Sequence, residues 1–216
     1  MPGLRGLLIA WTAVAMAMSA YAAPIDDAVA AYQRGDRAAA RVAFERLAAQ
    51  GVPAAAYNLA VMHLRRELPH ASDREALRWM TRAAEAGFVT AMVALAELHE
   101  QGRAGLGVDL ATSVLWYRRA AEAGSVQAQL AVGTAHYLGR GAARDAAAAA
   151  RWFRLAAQGG DAAAMYLFAS MAEHGEGVPR DLHEARYWYA AAARNGEVGA
   201  AEKARELDAR LAQPAS

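Results

Sequence analysis

Apolar and polar positions along the chain repeat in blocks. A tryptophan followed by methionine or an aromatic residue occurs at Trp79-Met80, Trp116-Tyr117, Trp152-Phe153 and Trp188-Tyr189, and the tryptophans are 37, 36 and 36 residues apart. Three residues before each lies a small side chain (Ala76, Ser113, Ala149, Ala185), and after each come an alanine pair and then a glycine (Gly87, Gly124, Gly160, Gly196). Ser72, Asp109, Asp145 and Asp181 stand where an N-cap would accept a bond from an orphan backbone N–H, and Ser72 with Glu75, like Asp181 with Glu184, has capping-box spacing. The spacing predicts a helix from each cap to each glycine. A second helical pattern opens near Ala55, Ala91, Ala128 and Ala164, where Leu59-Ala60, Leu95-Ala96, Val132-Gly133 and Phe168-Ala169 mark a buried stripe. One block is thus a pair of helices. A pair this short cannot bury its apolar face alone, so successive pairs must stack into an all-α solenoid.

The repeats divide residues 52–87, 88–124, 125–160 and 161–196, the first having no glycine in its inter-helix loop and the second one extra loop residue. Residues 26–51 read as a shorter helix pair turning at Arg34-Gly35, with Asp36 as cap and Phe44 near the tryptophan position. Residues 197–216 read as a closing helix, because a polar last helix shields the solenoid core from water. Residues 1–22 have the pattern of a signal peptide: Arg5, an apolar run from Leu7 to Met18, and Ala20-Tyr21-Ala22 before the expected cut. The expected location is therefore periplasmic or secreted, without stable membrane insertion after cleavage; an uncleaved segment would instead be an inner-membrane tether.

The stretch Ala164-Met165-Tyr166, His174 to Asp181, and Glu184 to Ala193 resembles one complete Sel-one-like repeat, a cousin of the tetratricopeptide repeat, and the likeness covers residues 52–196. Residues 26–51 look more like a tetratricopeptide unit. The resemblance implies helix pairs wound into a right-handed α/α superhelical solenoid with a concave groove. It also implies a non-enzymatic adaptor that binds protein or peptide partners, many members being exported by bacteria. Some cysteine-rich relatives are linked to β-lactam binding, so the alternative the resemblance implies is cell-wall or β-lactam-related binding or hydrolysis. This chain has no cysteine.

A net charge of +1 offers no basic stripe for a phosphate backbone, which speaks against nucleic acid. His63, His99 and His136 share one repeat position, but stacked helices lie about 8–10 Å apart, too far for imidazoles to converge on one metal ion. No Gly-x-Ser-x-Gly elbow or His-Glu-x-x-His is present, and no cofactor is implied. The tryptophans are expected to be packing wedges. Positions two, six and nine after each opening alanine of the first helices point away from the buried stripe and are expected to line a groove. From them Tyr57, Val61, Val93, Glu97, Glu100, Leu130, Tyr137, Tyr166 and Glu173 are the candidate partner-binding residues. Apolar groups beside carboxylates would suit a peptide with apolar anchors and a few basic residues.

Overall fold

The computed structural model describes residues 24–212; the signal-peptide segment and the last four residues lie outside them. The described residues form helices and no strand. Helix α1 covers residues 24–33. It is followed by α2 (Arg37–Ala49), α3 (Pro53–Leu64), α4 (Asp73–Glu85), α5 (Val89–Gln101) and α6 (Leu110–Glu122). Then come α7 (Val126–Leu138), α8 (Ala146–Gln158), α9 (Ala162–His174), α10 (Leu182–Arg194) and α11 (Ala200–Leu211). The chain is an all-α repeat solenoid and resolves into two compact units, one ending at Met92 and the other beginning at Val93.

The second helix of each pair starts where a side-chain cap can form. Asp36, Ser72, Asp109, Asp145 and Asp181 each accept the N–H of the residue three positions on, at 2.9–3.2 Å. Such a cap contributes about 1 kcal/mol. The return half of the capping box is absent. The cap's own N–H is already donated to the preceding helix: Asp109 to the carbonyl of His99, Asp145 to that of His136 and Asp181 to that of Ala172, at 2.9–3.0 Å. Glu75 and Glu184 bond Arg78 and Arg154 instead. Ser125 and Asp161 also cap α7 and α9, bonding Ala128 and Ala164. Those helices therefore begin at Val126 and Ala162, two residues before the alanines that the pattern marked as their starts.

The packing wedge is not the tryptophan but the residue after it. Met80, Tyr117, Phe153 and Tyr189 are buried, at 1–8% exposure, while Trp79, Trp116, Trp152 and Trp188 are half-buried. The reason is helical phase. A residue four places on from the small side chain lies about 40° from it around the helix, whereas the tryptophan, three places on, lies about 60° to the other side. Phe44 holds the same wedge position above Ala40 in α2. In the second unit Phe153 packs with Phe168 and Met171, and a Cβ on Gly133 would stand 2.7 Å from its ring. Glycine there lets α7 and α8 approach closely. Gly177, at φ +70°, is a second close approach: a Cβ would lie 2.3 Å from the Ala146 carbonyl oxygen, so the loop after α9 rests on the first turn of α8.

The first-unit loop that has no glycine places Arg66 in the left-handed region instead, at φ 58°. Its side chain bonds Asp73 at 2.8 Å and the Ala71 carbonyl at 3.2 Å, which holds the turn from outside. The extra residue of the next loop is accommodated by Ala104 at φ 55°. At the C-terminal end α11 buries Ala204 and Leu207 against Tyr189. Its polar face bonds back through Arg186–Asp208 at 2.7 Å and Arg210–Glu173 at 2.6 Å.

Candidate functional site

Within the second unit a cleft of about 320 Å³ opens between α5, α6 and α7. Its floor is mainly aliphatic, from Leu110, Val114, Leu130 and Leu138, with Glu100, Ser113, Tyr117, Gln127 and Thr134 supplying polar atoms. Helix phase puts them there: Glu100 closes α5, Tyr117 is the wedge of α6, and Leu130 and Thr134 are one turn apart on α7. The Tyr117 hydroxyl donates to Glu100 Oε2 at 3.3 Å. Burial first, then the carboxylates of Glu100 and Glu97, push that phenol well above the ordinary tyrosine range, so it stays a donor at neutral pH. Gln127 Nε2 donates to Glu97 Oε1 at 3.2 Å on the exposed rim.

Of the candidate groove residues, Glu100 and Leu130 line this cleft and Glu97 stands beside it. Val93 and Glu173 are corrections, since they are buried at 9% and 5% exposure. A first helix is covered on more than one side, and α5 buries Met92 and Val93 as well as Leu95 and Ala96, so one buried stripe underestimates what packing takes up. Glu173 accepts from the Tyr189 hydroxyl at 3.1 Å and from Arg210 at 2.6 Å, a structural ion pair. Tyr137 leans on Phe153 and donates to Glu176 at 3.2 Å. Tyr166 meets the edge of Tyr189 at 5.0 Å between ring centres. Both serve mainly packing. In the first unit Tyr57 tilts against Phe88 at 5.4 Å between ring centres, and Val61 is half-buried. Ser113, Tyr117 and Gln127 were not singled out as site residues by the pattern. Their signal was present in one place: Ser113 is a hydroxyl where the other repeats carry alanine.

A second cleft, of about 470 Å³, lies in the first unit around His63, His70, Glu45, Glu75, Arg78 and Trp79. Here the shared histidine position behaves differently: the cap N–H of Ser72 is donated to the His63 Nδ1 ring nitrogen, at 3.4 Å, instead of to a carbonyl. Burial, opposed by Glu75 and Glu45 and reinforced by Arg78 and Arg66, holds the imidazole below its ordinary value of 6.5. A base depressed in the folded state binds fewer protons than when unfolded, so its contribution is complete above pH 6.5 and is lost as pH falls below it. The urea midpoint of the protein is expected to fall between pH 7.5 and 5.5, and His63→Gln to fall less over the same interval. Parallel slopes for the two proteins would rule out this role.

The Sel1 repeat model matches residues 53–88, 89–125, 126–161 and 162–197, most of the chain. The chain belongs to the Sel1 repeat family. Among solved structures it is similar to a Sel1 repeat protein from Oxalobacter formigenes, with TM-score 0.70, 36% identity, and coverage of 78% of this chain and 49% of that one. It is also similar to c5321, a protective antigen of uropathogenic Escherichia coli strains that displays an SLR fold, with TM-score 0.69, 30% identity, and coverage of 79% and 36%. The chain thus spans between about a third and a half of the length of these relatives. No curated protein matches it. Sel1 repeat proteins generally mediate protein–protein interactions, and the Sel1 fold is typically a non-catalytic scaffold. Among the described residues no helix is long and apolar enough to cross a membrane.

Proposed function

We propose that this Sel1 repeat chain is a non-enzymatic adaptor of the bacterial cell envelope that holds a protein or peptide partner. The observation that carries the reading is the α5–α7 cleft: an aliphatic floor edged by Glu97 and Glu100, neither of which has an ion-pair partner among the described residues. An aliphatic cleft with carboxylates at its edge is a form in which a groove can capture an anchor side chain and orient the chain around it. Export is supported by the pattern of residues 1–22.

The double variant Glu97→Gln/Glu100→Gln, which removes both charges but keeps acceptors for Tyr117 and Gln127, is expected to lower partner recovery in affinity capture from a periplasmic extract, with the melting temperature unchanged. Equal recovery by the variant would count against the cleft. The location is tested separately, by fractionation and intact mass. A mature protein lacking residues 1–22 is the expected result, and a full-length species in the membrane fraction would replace export with tethering.

A further inference from the structure

Glu100 and Glu173 occupy the same repeat position, nine residues after the opening alanines Ala91 and Ala164. Each accepts a hydrogen bond from the wedge tyrosine of the following helix, Tyr117 at 3.3 Å and Tyr189 at 3.1 Å. At Glu173 the arrangement is completed by Arg210 of the next first helix, 2.6 Å away. The position equivalent to Arg210, ten residues after the opening alanine, is Leu138 in α7. Leu138 lines the cleft and is 53% exposed. The second unit therefore shows the same carboxylate and phenol twice, once closed by a guanidinium and once open to a cleft.

Ser113 points independently to an occupant. At its position the other second helices carry Ala40, Ala76, Ala149 and Ala185, all 0% exposed. Ser113 is 2% exposed and lines the cleft, and its hydroxyl bonds no other described residue. The hydroxyl is not sealed off, since the enclosed side-chain oxygen without a partner among the described residues is Glu67 Oε2, so the Ser113 oxygen is open to a bond from whatever enters the cleft.

Resting on the adaptor reading above, we infer that the α5–α7 cleft is an arginine-side-chain site, in which a partner's guanidinium occupies the place that Arg210 fills at Glu173. The planar guanidinium has five N–H donors, enough to serve the Glu100 carboxylate and the Ser113 oxygen together, while its methylenes lie on Leu130 and Leu138. Arg140, at the cleft wall but outside ion-pair distance of Glu100, disfavours a run of basic residues and selects a single arginine between apolar neighbours.

The test uses the intact protein against a display library of random dodecapeptides, followed by anisotropy with one labelled, end-blocked peptide, Ala-Leu-Arg-Leu-Ala, and its citrulline and lysine versions. Citrulline keeps the shape of arginine without its charge. Selected peptides are expected to carry one arginine flanked by aliphatic residues, and arginine should bind at least about tenfold tighter than citrulline. Glu100→Gln should abolish that preference. Ser113→Ala, the residue found at this position in the other helices, should weaken arginine binding several-fold while the protein melts no lower. Leu138→Arg should close the site from within and remove binding while keeping the fold. Peptides enriched without arginine, or an arginine preference that survives Glu100→Gln and Leu138→Arg, would overturn the inference and leave peptide capture standing. No enrichment of any sequence would remove both.

Discussion

Phe153→Ala is expected to destabilise the second unit by about 3–5 kcal/mol, the range for truncating a buried phenylalanine. Phe153 is 1% exposed, wedged between Phe168, Met171 and the bare backbone of Gly133, with Tyr137 tilted against it at 6.3 Å. The cavity cannot collapse easily, because α7 and α8 are already at close approach at Gly133 and the other buried residues of the cluster on α8 itself are the small Ala149 and Ala150. Trp152→Ala, one residue away on a half-buried side chain, should cost clearly less. Phe153→Leu, which keeps most of the volume, should stay below about 1.5 kcal/mol. Urea unfolding followed by tryptophan fluorescence and by far-UV circular dichroism reads all three. In a repeat protein stability is local, so Phe153→Ala is also expected to separate the unfolding of the repeats around α8 from the rest. A larger loss from Trp152→Ala would restore the tryptophan as the wedge.

Arg210→Ala is expected to cost about 2 kcal/mol. Truncating one partner of a buried pair costs about 3–5 kcal/mol when the remaining charge is fully enclosed. Glu173 is enclosed, at 6% side-chain exposure, but Arg210 is 42% exposed, so water replaces part of what is lost. The Tyr189 hydroxyl still bonds the carboxylate after the change. Arg186→Ala provides the comparison, because it removes the other ion pair that ties α11 to an earlier helix, with Asp208, which is about half-exposed on both sides. An exposed pair is worth about 0–1 kcal/mol. Thermal unfolding of the two single variants should therefore rank Arg210 well above Arg186, with hydrogen exchange in α11 accelerated mainly by the former. Equal effects would mean that α11 is held mainly by its buried Ala200, Ala204 and Leu207.

Much of this was legible in the chain because the repeat forces it. A cap, a small residue and a glycine recurring in step leave little freedom about where α4, α6, α8 and α10 begin and end. The wedge was misplaced by one residue since tryptophan is the more conspicuous side chain, while the residue that matters is recognised only by its phase relative to Ala76 or Ala149. The groove was harder to read. Counting angles around one helix finds the face turned from its own stripe, but Val93 and Glu173 are covered by neighbours that a single helix does not reveal. Glu100 and Glu173 are indistinguishable in the pattern; they differ because the helix that follows the fourth repeat brings an arginine and the one that follows the second brings a leucine.

The bond from each cap N–H to the helix before it has a further consequence. In the last three repeats the acceptor is a peptide carbonyl, which every amino acid supplies, so His99 and His136 can change, as Ala172 already shows, without losing this bond, and the ring of His136 adds only a contact to the Ala143 carbonyl at 3.2 Å. In the first repeat, between α3 and α4, the same clasp is made by an imidazole. There the chain has written into a side chain what it elsewhere leaves to the backbone, and mutational tolerance at that one position should be correspondingly narrow.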